Sequence, residues 1–342
     1  MKKSAFAAII GRPSAGKSTL LNRMCGGKVA IVSSVPQTTR NAIRGIVNKP
    51  EGQLVFIDTP GRHSSEKKMN KRLMEVSARA LQESDLVLYV LDASRAPGPE
   101  EEEIAALLSA LAEKTIAAVN KIDLNSADFD RAASFLSQRL FQPSLPARVC
   151  EAPLKTGENR RFSPEETPTI FSAHSFSCGH CFSCADRGRV FPVSAVNGSG
   201  IDDLLGALFE MAPEGQPLYG DEYYTDQETG FRIAEIIREQ AINRLRQELP
   251  HSLYVEIADM EFKNETGQDK KTDLWVRAFI MVERESQKGM VVGKGGEMIK
   301  AIRLSALKEL NQIFDWKIDL DLRVKTGKDW RHNDHTLKKI IN

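Results

Sequence analysis

The sequence predicts an α/β fold, a mostly parallel sheet with helices on both faces, followed by a smaller α+β unit. Three observations carry this. Over roughly the first 210 residues one pattern recurs: an apolar run, a polar turn, a helical stretch. Short strands alternating with helices in this way build parallel sheets. The segment Met211–Gly230 then breaks the rhythm with Pro213, Gly215, Pro217, Gly220 and Gly230, the composition of a linker. Beyond it, helices and strands follow in a different order.

Each strand of the first unit ends in a polar turn. Phe6–Ile10 leads to Gly11, Leu54–Ile57 to Asp58, Leu86–Leu91 to Asp92, Thr115–Val119 to Asn120 and Val190–Val193 to Ser194. Ligands bind beyond the carboxyl ends of such strands, so these turns are expected along one edge. Ala42–Val47 reads as an additional edge strand. Residues 141–189, rich in Pro, Ser, Arg and isolated Phe without a period, read as an insertion. After the linker come an amphipathic helix over Ile233–Leu249 stopped by Pro250, strands Leu253–Ile257 and Leu274–Val282, and a short helix near Ser286–Val292. A long helix Glu297–Phe314 and a strand Lys317–Val324 complete the pattern. The expected domains are therefore 1–210 (with the insertion), a linker 211–230, and 231–342.

At 342 residues the chain is long enough for about two domains. Lys plus Arg number 47 and Asp plus Glu 46, so any nucleic-acid surface must be a local patch. No apolar run reaches the roughly 20 residues of a membrane helix. The basic start Met1-Lys2-Lys3 runs into Gly11 without a full apolar core, so it reads as the first strand rather than a signal peptide. Five cysteines in this length exclude a disulfide scaffold.

Gly11-Arg12-Pro13-Ser14-Ala15-Gly16-Lys17-Ser18-Thr19 contains the spacing GxxxxGKS between a strand and a helix. Its glycines let several backbone N–H groups face phosphate oxygens, with the helix N-terminus adding positive potential. Lys17 is expected on the β- and γ-phosphates and the Ser18 hydroxyl on Mg²⁺. Asp58-Thr59-Pro60-Gly61 follows the next strand; Asp58 would hold Mg²⁺ through water and Gly61 N–H would meet the γ-phosphate. In Asn120-Lys121-Ile122-Asp123 the Asp123 carboxylate can accept the ring N–H and exocyclic amine of guanine. Ser194-Ala195, in the corresponding position after the last strand, would offer an N–H to the guanine carbonyl. In Gln37-Thr38-Thr39-Arg40, Thr39 is the preferred residue to complete the Mg²⁺ shell, with Thr38 the alternative. Catalysis is thus assigned to Lys17, Thr39, Asp58 and Gly61.

Gly293-Lys294-Gly295-Gly296 lies between two helices, and a GxxG turn lets a nucleic-acid backbone approach closely. The order helix, strand, strand, helix, GxxG, helix, strand matches a K-homology unit. Lys288, Lys294, Lys300 and Arg303 cluster around the turn as candidate RNA contacts.

Together these residues resemble the Era-type family of bacterial ribosome-assembly GTPases. The resemblance spans GRPSAGKSTLLN at 11–22, QTTR at 37–40, DTPG at 58–61, NKID at 120–123, SA at 194–195 and VERESQKGMVVGKGG at 282–296. It also includes Ile236-Ile237-Arg238-Glu239 and Leu249-Pro250. It implies a P-loop GTPase domain followed by a type II K-homology (KH) domain. The implied activity is hydrolysis of GTP to GDP with Mg²⁺, coupled to binding of 16S ribosomal RNA near its 3′ end during maturation of the 30S subunit. It further implies a cytoplasmic monomer, partly peripheral at the inner membrane. Three departures stand out. Ser14 occupies the place of a family Asn that, in related enzymes, helps bind an activating K⁺. Arg62 follows DTPG where an aliphatic residue is usual. The link between the fourth and fifth motifs is longer and carries Cys178, Cys181 and Cys184 at C-x₂-C-x₂-C spacing. Three thiolates at this spacing can share Zn²⁺, with His174 the preferred fourth ligand over His180 or Cys150; the alternative is a loop with unliganded thiols. Two other functions fit parts of the pattern, an RNA-binding adaptor with a degenerate nucleotide site and an ATP-using P-loop enzyme. Lys17, Ser18 and Asp58 argue against the first, and Asp123 against both.

Overall fold

The computed structural model describes residues 2–33, 35, 41–59, 77–141, 189–246, 249–263, 273–328, 330 and 333. The first domain is built on β1 (Lys3–Ile10), β2 (Ile43–Lys49), β3 (Gly52–Asp58), β4 (Leu86–Asp92), β5 (Thr115–Asn120) and β6 (Val190–Pro192). They form one sheet in the order β2-β3-β1-β4-β5-β6, parallel except for the antiparallel edge strand β2. Every residue of β3, β4 and β5 is buried, as expected of strands covered on both faces. Ala7 and Ile9 of β1 face α1 (Lys17–Cys25) and α4 (Ile201–Met211) through Leu20, Leu21, Leu204 and Leu208. Ala8 and Ile10 face α2 (Pro99–Leu108) and α3 (Phe129–Arg139) through Ile104, Leu108 and Leu136. β1 is the switch point: the chain runs to β2 and β3 on one side and β4 to β6 on the other, so the loop after β1 opens into the crevice between them.

The second domain contains α5 (Thr229–Arg244), β7 (Leu253–Lys263), β8 (Asp273–Val282), α6 (Glu285–Val292), α7 (Glu297–Ile313) and β9 (Lys317–Thr326). β8 is central, antiparallel to β7 and parallel to β9. Its Leu274, Val276, Ala278, Ile280 and Val282 are buried against Ile237 of α5 and Ile302, Ala306 and Leu310 of α7. Two sequence boundaries move. The helix expected over Ile233–Leu249 ends at Arg244, because Leu245 turns extended (φ −83°, ψ 154°) while remaining buried; Leu249–His251 is a separate 3-10 turn. β7 continues past Ile257 to Lys263 through a register shift between Ile257 and Asp259. Its distal half is exposed, so pairing to β8, rather than an apolar period, makes it a strand.

The linker lies along the first sheet. Gln53, 1% exposed, receives Leu218 N and Tyr219 N on its Oε1 at 2.8 and 2.9 Å and donates to Tyr219 O at 2.9 Å. Farther on, Ile46 N donates to Tyr224 O at 2.9 Å. The domains also meet through side chains. Lys28 pairs with both Glu239 of α5 and Glu309 of α7, and Val32 N donates to Glu239 Oε1 at 2.9 Å. Burial pushes the Glu239 carboxyl up, with Lys28 opposing it. Residues 142–188 of the expected insertion lie outside the described residues.

Leu310→Ala should cost about 2–5 kcal/mol, because it leaves a cavity between α7 and β8 that the sheet cannot close. Calorimetric unfolding of the full chain measures this; an unchanged transition would mean that Leu310 does not hold α7 to the sheet.

Candidate nucleotide site and nucleic-acid surface

The turn after β1 wraps around the Lys17 ammonium. Lys17 is 6% exposed, and its Nζ donates to Gly11 O and Arg12 O, each at 2.9 Å. Gly16 caps α1 at φ 95°, and a Cβ there would collide with the Asn120 amide; only glycine fits. Ser14 also adopts a left-handed φ of 63°, a region in which Asn is enriched. Burial lowers the Lys17 pKa to about 8, against the opposing pull of Asp58 and Glu100.

Ser18 Oγ donates to Asp58 Oδ2 at 2.7 Å. A hydroxyl and a buried carboxylate beside this ammonium suit a hard cation bound with phosphates. Thr59 is also buried, and its hydroxyl donates to Ile9 O at 2.7 Å, which ties β3 to β1. Thr38, Thr39, Pro60, Gly61 and Arg62 lie outside the described residues.

Parallel register places Asn120 beside Asp92 and brings the β6 turn alongside. Asn120, 2% exposed, donates from Nδ2 to Ala15 O at 2.9 Å and accepts Ala195 N on Oδ1 at 3.0 Å. Its amide joins the phosphate loop to both base loops. Ser194 Oγ donates to Asp123 Oδ1 at 2.6 Å and orients that exposed carboxylate. Lys121 has a left-handed φ of 69°, and its Nζ donates to Asp92 Oδ2 at 2.7 Å. Arg12 turns its guanidinium towards Asp92 and Glu101. Burial pushes the Asp92 carboxyl up, but hydrogen bonds from Lys121 and Ser94 outweigh this and hold it below the usual range.

Two contributors carry no motif in the sequence. Asp92 has only one sequence signal, an acid ending the strand next to the one that leads into Asn120-Lys121. Arg23 of α1 donates from Nε to Ala195 O at 3.3 Å and also bonds Val196 O, holding the last loop.

In the second domain the GxxG turn joins α6 to α7, with Gly293, Gly295 and Gly296 at φ 74°, 62° and 82°. A Cβ on Gly293 would lie 2.7 Å from Met298 Cβ. Lys294 and Lys300 are exposed. Lys288 lies 3.5 Å from Glu285, and Arg303 turns away to Leu320 O and Asp319 on β9. The turn is therefore flanked by fewer outward cations than the sequence spacing suggested. The cysteines Cys150, Cys178, Cys181 and Cys184, with His174 and His180, lie outside the described residues. Among the described residues no cluster of His, Cys, Asp and Glu could hold a metal ion, and no helix is long and apolar enough to cross a membrane.

Residues 6–121 match the 50S ribosome-binding GTPase family, and residues 248–331 match the KH domain. The chain is 45% identical to GTPase Era of Treponema denticola, across 98% of this chain and 99% of the relative. It is 38% identical to GTPase Era of Borreliella burgdorferi, across 99% of this chain and all of the relative. Among solved structures, a variant of Aquifex aeolicus Era bound to GDP·AlF4⁻ superposes with a TM-score of 0.79 at 28% identity, covering 99% of this chain and 98% of that one. Era in complex with MgGDPNP and nucleotides 1506–1542 of 16S ribosomal RNA gives 0.77 at 28% identity, with 99% of each chain covered.

Phosphates should hold the proton on Lys17 that burial loosens. The nucleotide-free protein loses this ammonium as pH rises through about 8, whereas the phosphate-bound form keeps it. GDP affinity should accordingly fall about eightfold between pH 7.5 and 9, with proton uptake on binding. Isothermal titration in buffers of differing ionisation enthalpy checks both; a flat affinity across this interval would remove Lys17 as the titrating group.

Proposed function

The chain belongs to the Era family of GTPases, and we propose on that premise that it couples GTP hydrolysis in the first domain to binding of 16S ribosomal RNA by the second, during 30S subunit maturation. One observation carries the nucleotide part. The loops after β1, β3, β5 and β6 converge so that Lys17, Ser18 and Asp58 stand at one end of the site and Ser194-oriented Asp123 at the other. Bound Mg²⁺ would neutralise charge developing on the phosphates. Lys17 supplies a fixed cation beside them, and Ser18 and Asp58 supply the oxygens that would hold the metal. Asp123 selects guanine, while Asn120 keeps the distance between base and phosphates. By motif, Thr39 is assigned to the Mg²⁺ shell and the Gly61 N–H to the γ-phosphate.

The RNA part rests on the open GxxG turn, the exposed Lys294 and Lys300, and the family likeness. The Era structure holding nucleotides 1506–1542 of 16S ribosomal RNA supports the same RNA class. Cytoplasmic location, a monomeric state and peripheral contact with the inner membrane rest on the family resemblance alone; fractionation and gel filtration test them. Ser14 bears on K⁺: its left-handed backbone suits Asn, so Ser14→Asn should increase K⁺ stimulation of turnover, and an unchanged response removes the role. Zinc on Cys178, Cys181, Cys184 and His174 rests on spacing. Elemental analysis of protein purified without chelator decides it, and substoichiometric zinc ends that assignment.

Asp123→Asn should weaken GTP binding by at least about 100-fold and move preference to xanthosine triphosphate, whose exocyclic carbonyl needs a donor. Competitive nucleotide binding reads this; unchanged GTP affinity would place base recognition elsewhere. Introducing both Lys294→Asp and Gly295→Asp should abolish binding of a 16S 3′ RNA fragment while GTP turnover without RNA survives. Wild-type RNA affinity would move the surface away from the turn.

A further inference from the structure

Asp92 ends β4, the strand between β1, which feeds the phosphate loop, and β5, which feeds the base loop. It is 3% exposed. Its Oδ1 accepts Ser94 N at 2.9 Å and Ser94 Oγ at 2.6 Å, which fixes the carboxylate plane. Its Oδ2 then meets two cations from different loops: Lys121 Nζ at 2.7 Å and Arg12 Nη2 at 3.3 Å. The other branch of the Arg12 guanidinium, Nη1, lies 2.9 Å from Glu101 Oε1. Glu101, also 3% exposed, accepts Gly98 N at 2.9 Å and so closes the first turn of α2. Two cations, Arg12 mostly buried and Lys121 partly exposed, thus balance two buried carboxylates behind the nucleotide crevice.

We propose that Asp92 is a positioning residue for guanine nucleotide binding, holding Lys121 of the base loop and Arg12 of the phosphate loop with one carboxylate oxygen and so setting the distance between the two subsites. The inference rests on the nucleotide-site reading above. Lys121 sits in a left-handed conformation that a non-glycine residue keeps only when its surroundings enforce it; the Asp92 bond supplies that restraint. Arg12 forks across two carboxylates as a lysine could not. GDP and GTP occupy both subsites with one molecule, so a fixed spacing makes the second set of contacts intramolecular. Removing the Asp92 charge leaves the mostly buried Arg12 and the partly exposed Lys121 without their shared counter-ion. The loops should then drift apart, and ligands that span both should bind more weakly.

The test uses the full-length protein with Asp92→Asn, which keeps the side-chain shape. Kd for GDP and for GDPNP with Mg²⁺ should each rise about tenfold, while kcat at saturating GTP stays within about twofold. Guanosine alone, which occupies only the base subsite, should lose less than GDP. Arg12→Gln should weaken GDP binding, and adding it to Asp92→Asn should cost little more, because both remove the same tie. Wild-type GDP affinity in Asp92→Asn, equal losses for guanosine and GDP, or multiplying effects in the double variant would each overturn the proposal. If Asp92→Asn does not fold, Arg12→Gln and Arg12→Lys decide: GDP affinity should fall in both, less in Arg12→Lys, and wild-type affinity in Arg12→Gln overturns it. Asp123→Asn with xanthosine diphosphate runs alongside. Its failure would overturn the guanine assignment without altering the outcome for the Asp92 tie.

Discussion

The buried amide of Asn120 is the interaction on which the nucleotide site depends. An amide carries a donor and an acceptor on one rigid group, and here each is used by a different loop: Nδ2 by Ala15 O and Oδ1 by Ala195 N. An aspartate in its place would face the Ala15 carbonyl with no donor. A leucine would leave both backbone groups buried without a partner, a loss larger than that of the bonds themselves. β5 carries Asn120 to a depth where β1, β4 and β6 already converge, so one side chain locks turns from far apart in the chain. Glycine at position 16 belongs to the same constraint, since the amide occupies the space of a Cβ.

Charge is arranged around that lock in two ways. Lys17 is held by neutral carbonyls of Gly11 and Arg12 rather than by a carboxylate hydrogen bond. Its charge is therefore only partly compensated, and burial works against it. Phosphate oxygens complete what the protein leaves incomplete. Behind the crevice, Arg12 and Lys121 are matched with Asp92 and Glu101. The first arrangement favours an anionic ligand; the second holds the walls in place without adding net charge.

The two domains share a stretch of backbone as well as the linker. Residues 28–32 follow α1 and lead towards the segment carrying Thr39; Glu239 of α5, Glu309 of α7 and Gln227 of the linker grip them. Arg232 adds a guanidinium between the rings of Tyr224 and Phe314, at 5.0 and 4.9 Å from their centroids. The stretch that leads towards Thr39 is thus anchored on the second domain.

Much of this was legible from residues in order. Burial on both faces turned the strands ending at Asp58, Asp92 and Asn120 into unbroken apolar runs, and each ended on a residue of the site. Glycine and lysine spacing exposed the phosphate loop because few other residues tolerate its backbone, and the GxxG turn was visible for the same reason. Where periodicity failed, pairing decided. The exposed far half of β7 is a strand only because β8 binds it, and Leu245 leaves the helix because the core takes its side chain in an extended segment. The sequence by itself determined which groups are candidates to meet a nucleotide, since backbone geometry and base chemistry demand particular residues at local spacings. Only the tertiary structure decided which groups hold them. Asp92 lies 80 residues from Arg12 and 29 from Lys121, and an acid at a strand end has no local pattern to mark it. Parallel register alone puts its carboxylate between the two loops, and in the second domain hydrogen bonding to Leu320 O and pairing with Asp319 turn Arg303 to β9 rather than to the GxxG turn.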